Sequence, residues 1–133
     1  DRLVLIVRPD DQIAQRRQTN FRDVAARDFV GLTEVSALQS HIATHAAQLG
    51  VRLRVRARLR SFDAICQMVE AGVGVAIIPE AAARRYSRSI KIKTIRMTDP
   101  WTSRRLAICT RGRQSLPRPV QQLADHLRMF AKV

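Results

Sequence analysis

SFDAICQMVEAGVGVAIIPE, residues 61–80, is the stretch on which the fold turns. Ser61 is a candidate helix N-cap, because its hydroxyl can accept from a free backbone N–H one turn on. Asp63 places negative charge in the first turn, where the helix dipole favours it. Phe62, Ile65, Cys66 and Val69 recur at helical spacing and form one apolar stripe. Gly72 suits the C′ position, where a left-handed backbone costs glycine little. Gly74 permits close helix–strand contact. Val75 to Ile78 is a short unbroken apolar run, as expected of a strand covered on both faces. Pro79 ends that strand and suits the first turn of a following helix. The stretch therefore reads as helix, turn, buried strand, helix.

Working outward, Leu3 to Val7 is an apolar run stopped by Arg8-Pro9, a buried strand leaving its sheet. Asp10 to Asn20 reads as a polar connector, and Phe21 onward as a short helical turn. DFVGL, residues 28–32, is a strand. Thr33 to Ser36 is a loop in which either end residue could cap the next helix. That helix carries Leu38, Ile42, Ala46 and Leu49, and Gly50 stops it. From Val51 to Arg60 apolar residues alternate strictly with Arg52, Arg54, Arg56, Arg58 and Arg60. Period 2 predicts one apolar face and one arginine face that must meet water or an acidic partner. Such a row of charge also suits an exposed sheet edge.

Ala81 to Ser87 reads as a helix and Ile90 to Arg96 as a strand. Asp99-Pro-Trp is a turn, Arg105 to Thr110 a strand, and Pro119 to Ala131 a closing amphipathic helix with Val120, Leu123, Leu127 and Phe130. Strands alternating with helices predict an α/β domain with a mostly parallel central sheet flanked by helices.

The 133 residues suit one domain with a real core. No apolar run approaches the roughly 18 residues that span a bilayer. No export signal opens the chain, whose first residues already read as a strand; this suggests a piece cut from a longer polypeptide. The net charge is +13; three of the 24 basic residues are Lys (Lys91, Lys93, Lys132) and the rest Arg. Such a bias fits a solvated basic surface, or genomic base composition, better than a DNA contact, since no basic–aromatic repeat is present for base stacking. Cys66 and Cys109 lack any CxxC context and read as two buried, reduced thiols, consistent with a reducing cytoplasm.

His41 and His45 stand i, i+4, a spacing that could hold a metal, but no third ligand accompanies them and a polar helix face is favoured. His126 reads as a surface residue. There is no G-x-S-x-G, no phosphate-binding glycine loop and no paired-carboxylate pattern. No catalytic residue, cofactor or metal is expected. A binding site is expected by topology instead, beyond the carboxyl ends of the strands. Those ends are Leu32-Thr33, Arg60-Ser61-Phe62 and Ile78-Pro79. At the second, a helix N-terminus with Ser61 and Arg60 offers a place for an anion.

Three segments taken in order, LVLIVRPDDQIA with FRDVAARDFVGL, then VEAGVGVAIIPE, then DPWTSRRLAICTRG, resemble the effector-binding domain of LysR-type transcriptional regulators, a type 2 periplasmic-binding-protein-like fold. The resemblance implies that residues 12–104 form the second subdomain. Residues 1–11 and 105–133 would be crossover strands and a C-terminal helix belonging with a first subdomain not in this sequence. It further implies a small effector, expected to be anionic, held in an inter-subdomain cleft whose wall includes Arg60, Ser61 and Phe62, with Thr33 and Ser36. The signal would pass to DNA-bound subunits of a cytoplasmic homo-oligomer, with DNA contacted only through a domain outside this chain. Alternatives are a solute-binding protein of the related transport fold and a basic nucleic-acid-binding module; an acyl- or amino-acid-modifying enzyme fits least.

Overall fold

A computed structural model describes residues 1–131. The strands are β1 (Leu3–Val7), β2 (Gln18–Thr19), β3 (Asp28–Leu32), β4 (Arg54–Leu59), β5 (Ala76–Pro79) and β6 (Lys93–Met97). The helices are α1 (Phe21–Val24), α2 (Ala37–Gln48), α3 (Phe62–Glu70), α4 (Glu80–Tyr86) and α5 (Arg118–Phe130). Short 3-10 turns cover Gln12–Gln15, Pro100–Thr102 and Arg113–Ser115.

One sheet runs β2-β6-β1-β5 and a two-stranded sheet holds β3 and β4. The two join through a parallel bridge between Phe29 and Val75, with Val30 N–H to Val75 C=O at 2.8 Å and Val75 N–H to Asp28 C=O at 2.9 Å. Five strands therefore point one way. Only β1 runs against them, antiparallel to both β5 and β6. The expected mostly parallel sheet is present, with the first strand reversed at its centre.

Every residue of β1 is buried. Leu3, Leu5 and Val7 enter one core with Phe21, Val24, Leu38, Ile42 and Ala46, under α1 and α2. Val4 and Ile6 enter the other with Ile65, Cys66, Val69 and Ala83, under α3 and α4. The result is three layers, as the continuous apolar run of β1 requires. Gly74 allows the join between sheets: a Cβ there would sit 2.6 Å from the Asp28 carbonyl oxygen. Gly72 has φ +81° and follows α3 as its C′ residue.

The arginine strand departs from expectation in an informative way. Its residues 51–60 alternate half-buried and exposed, and all five arginines are exposed. However, Phe29 pairs with Val55 and Val30 with Ala57, so Arg56 sits in a bulge. A bulge shifts the pleat by one residue. Val51, Leu53 and Val55 accordingly pack on the α1/α2 core, while Ala57 and Leu59 pack on the α3/α4 core. The arginines do not share one sheet face: those before the bulge and those after it fall on opposite sides. Arg54 and Arg56 reach Asp28 at 2.9 and 3.5 Å, whereas Arg58 reaches Glu34 at 3.3 Å.

Five other expectations are corrected. The regular strand begins at Arg54 rather than Val51, and β6 covers Lys93–Met97 rather than 90–96. The supposed connector 10–20 holds a 3-10 turn capped by Asp11 and the two-residue strand β2. Residues 105–110 form no strand, because no neighbour there offers a hydrogen-bonding edge. Cys109 is exposed; Cys66 is buried, and both are free. Burial, with Asp63 nearby, pushes the Cys66 thiol up to about 11. The proposed return segment 105–133 ends on Lys132 and Val133, which lie outside the described residues.

Candidate functional site

The parallel strands β3, β4 and β5 end at one edge of the sheet. Leu32 pairs with Leu59, so Thr33 and Arg60 leave the sheet side by side. Backbone geometry then builds two helix starts there. Thr33 C=O accepts from Ser36 N–H at 3.0 Å, turning the chain into α2. Ser36 occupies the N-cap position of α2 without a side-chain capping bond. Ser61 caps α3: its Oγ accepts from Ala64 N–H at 3.2 Å, with extended backbone at φ −139° and ψ 152°. Once the oxygen has accepted that bond, the hydroxyl hydrogen remains to donate.

Arg60 and Ser61 are exposed; Thr33, Ser36 and Phe62 are half-buried. Phe62 rests against both cores, which fixes the first turn of α3. Asp63, also in that turn, accepts from Gln67 Nε2 at 2.9 Å. Its charge offsets part of the positive end of the helix, so a bound anion would depend on Arg60 and the N–H groups together.

The same edge carries residues that the sequence reading did not single out. Arg2 bridges to Ser103 in antiparallel fashion. Asp1 and Arg104 exchange two backbone hydrogen bonds, of 3.0 and 2.7 Å, and their side chains form an ion pair. Burial lowers the proton affinity of the Arg104 guanidinium, and its Nε has no hydrogen-bond partner. Glu80 N–H donates to Arg2 C=O at 2.8 Å. A hollow of about 500 Å³ opens here, lined by Asp1, Arg2, Glu80, Ala81, Arg84 and Ser103. The chain thus enters and leaves the sheet at the edge where Thr33, Arg60 and Ser61 stand.

His41 and His45 form part of an aromatic clamp rather than a bare polar face. His41 Nε2 donates to Trp101 C=O at 3.0 Å, and the His45 ring stacks on Trp101 at 4.5 Å and 10°. Phe21 meets the same indole edge-on at 5.3 Å. Asp99 accepts from Phe21 N–H at 2.7 Å. Together these contacts hold the exit segment 98–103 against α1 and α2. Among the described residues, no group of three or more His, Cys, Asp or Glu is placed to hold a metal. No described helix is long and apolar enough to cross a membrane.

Residues 1–132 match the family model of the LysR substrate binding domain. An uncharacterized HTH-type transcriptional regulator of Bacillus subtilis, YwbI, is 26% identical over 128 residues, covering 96% of this chain and 42% of that protein. A second such regulator, MJ0300 of Methanocaldococcus jannaschii, is 28% identical over 102 residues, covering 74% of this chain and 34% of its own length. The chain spans less than half the length of these curated relatives. Among solved structures, the CcmR regulatory domain of Synechocystis in complex with 2-PG has a TM-score of 0.77 at 20% identity, covering 98% of this chain and 63% of that one. HinK, a LysR family regulator from Pseudomonas aeruginosa, has a TM-score of 0.76 at 18% identity, covering 98% and 45%. The effector binding domain of QuiR in complex with shikimate has a TM-score of 0.64 at 18% identity, covering 74% and 46%. The three-layer α/β body with its reversed central strand is the periplasmic-binding-protein-like fold of these domains, and the chain belongs to the LysR substrate-binding-domain family.

Proposed function

We propose that residues 12–104 are the second half of a two-part effector cleft in a LysR-type regulator, and that this half binds a small anionic ligand. Arg60, Ser61 and Phe62 form its wall, with Thr33 and Ser36 beside them. Arg60 supplies charge, Ser61 a hydroxyl hydrogen and α3 its free N–H groups. Residues 1–11 and 105–133 cross to the other half. Closing of the cleft is passed to DNA-bound subunits of a cytoplasmic homo-oligomer, which requires the effector to bind one state more tightly than the other.

One observation carries this reading: both crossing segments, Asp1-Arg2 and Ser103-Arg104, pair at the sheet edge where β3 and β4 deliver Thr33 and Ser61. Neighbours in complex with shikimate and with 2-PG support a small organic ligand.

The test is Ser61→Ala in the intact regulator. Loss of one hydrogen bond to a charged ligand costs roughly 1.5–3 kcal/mol, about ten- to hundredfold in affinity. Loss of the cap alone costs about 1 kcal/mol of stability. Effector affinity and melting temperature are measured on the same variant. A lower melting temperature with unchanged effector affinity would overturn the site and leave Ser61 as a cap.

A further inference from the structure

The sheet has a second edge, opposite the proposed cleft, and it carries three cations without a carboxylate partner among the described residues. There β1 ends and the parallel strands begin. Val7 pairs with Lys93, and Asp28 with Arg54. Arg8 follows β1, Arg27 precedes β3, Arg52 lies two residues before β4 and Lys91 two before β6. Arg8, Arg27 and Arg54 are matched by Asp10, Asp11 and Asp28. Arg52, Lys91 and Lys93 are exposed and form no ion pair among the described residues. Glu70 engages Lys91 only through the backbone N–H, at 2.9 Å. At the cleft edge Arg104 and Arg84 pair with Asp1 and Glu80, while Arg2 and Arg60 are exposed and form no ion pair among the described residues.

We infer that this basic rim is a sequence-independent contact for the phosphate backbone of duplex DNA. The free cations stand on β6 and at the entry to β4, four strand spacings apart, roughly 19 Å. B-DNA carries one negative charge per about 1.7 Å of axis, both strands counted, so about eleven phosphates lie on a length of duplex equal to the rim and part of them face it. A regular polyanion of that density meets cations at both ends of the rim at once. An acidic patch on a folded protein would need its carboxylates placed to match. Contacts from three cations to phosphates read no base edges, so base readout is not its role. Contacts of this kind position a regulator on DNA whose sequence another domain reads. The inference does not depend on the effector site.

The test uses the 133-residue chain, unrelated 20-bp duplexes and polyglutamate of equal charge. Binding is followed between about 50 and 200 mM salt. The unmodified chain is expected to bind all duplexes alike, with Kd weaker than about 1 µM at physiological salt. Combined Arg52→Gln, Lys91→Gln and Lys93→Gln should lower the slope of log K against log salt by about 2–3 and weaken binding at low salt at least tenfold. Charge reversal at the same positions (R52E, K91E, K93E) should abolish binding. Arg105→Gln, Arg111→Gln and Arg118→Gln remove equal charge elsewhere and should leave the slope within about 1 of the parent. Circular dichroism establishes that each variant is folded, and the two rim variants check each other. Equal slope losses in rim and control variants overturn the inference. So does discrimination among duplexes, and so does tighter binding of polyglutamate, which would assign the rim to an acidic protein.

Discussion

Helices α3 and α5 are alike in pattern and opposite in fate. Both are amphipathic, with apolar residues at helical spacing. Ile65, Cys66 and Val69 of α3 are 0–1% exposed, beneath β1 and β5. Along α5 no residue is buried: Val120 is 43% exposed, Leu123 57%, Leu127 47% and Phe130 67%. Leu106 and Ile108, in the segment leading to it, are exposed too. An apolar stripe specifies only that a partner is needed. The sheet supplies one for α3; among the described residues nothing supplies one for α5. Stability should therefore reside in residues 1–104 and contribute little beyond.

Truncating the core tests this hardest. Leu5→Ala, at a fully buried central position, should cost about 2–5 kcal/mol in denaturant unfolding. Leu123→Ala should move the same midpoint by less than about 0.5 kcal/mol. Comparable losses would mean that α5 is packed in solution.

The stripe should instead govern association. An exposed apolar patch of this kind favours pairing between copies. Light scattering of the 133-residue chain should show a dimer or larger species at high concentration. Leu123→Asp with Leu127→Asp should weaken that association by tenfold or more. A clean monomer from the unmodified chain would break the comparison from the other side.

Electrostatics within the body gives a smaller effect. Asp11 caps the Gln12–Gln15 turn and holds both terminal nitrogens of Arg27. The Arg27 hydrogen bonds hold its carboxyl below the usual value against the opposing effect of burial. A carboxyl whose folded value is depressed stabilises fully above its unfolded value, near roughly 4, and loses that contribution as pH falls through the folded value. Asp11→Asn should cost about 1–2 kcal/mol at pH 7 and progressively less in acid. A penalty independent of pH would remove the ion pair from the account.

The mildest probe is chemical. Cys109, which is exposed, should react with a thiol reagent in the folded chain, whereas Cys66, buried and with its thiol pushed up to about 11, should react only on unfolding. Equal labelling would mean that the α3 face opens as readily as the tail.

The sequence made the strand–helix order legible wherever a pattern was local and long. Residues 61–80 contain a cap, a stripe, two glycines and a buried strand, and each stands where its chemistry suggests. The strand ends that carry Thr33 and Ser61 could be read for the same reason. What escaped depends on partners distant in sequence. Two residues suffice for β2 only because Arg96 and Met97 of β6 lie alongside. The bulge at Arg56 leaves the period-2 pattern of residues 51–60 intact and is set by the pairing with β3. The Trp101 clamp unites residues about 60 positions apart. LAICT looks like a strand by composition, yet a strand is defined by a neighbour.

The position of β1 bears on how the chain is made. LVLIV is synthesised before both of its hydrogen-bonding partners, Ala76–Pro79 and Lys93–Met97. At about 5–20 residues per second, the ribosome leaves this segment without either neighbour for roughly 4–14 s. Five consecutive apolar, mostly β-branched residues with no charge among them are the composition that seeds intermolecular strand pairing. Closing the sheet from its middle also makes the essential contacts long-range, which slows folding. The strand that anchors both cores of the finished domain is thus the segment a nascent chain most needs shielded, so chaperone dependence and low soluble yield should track residues 3–7.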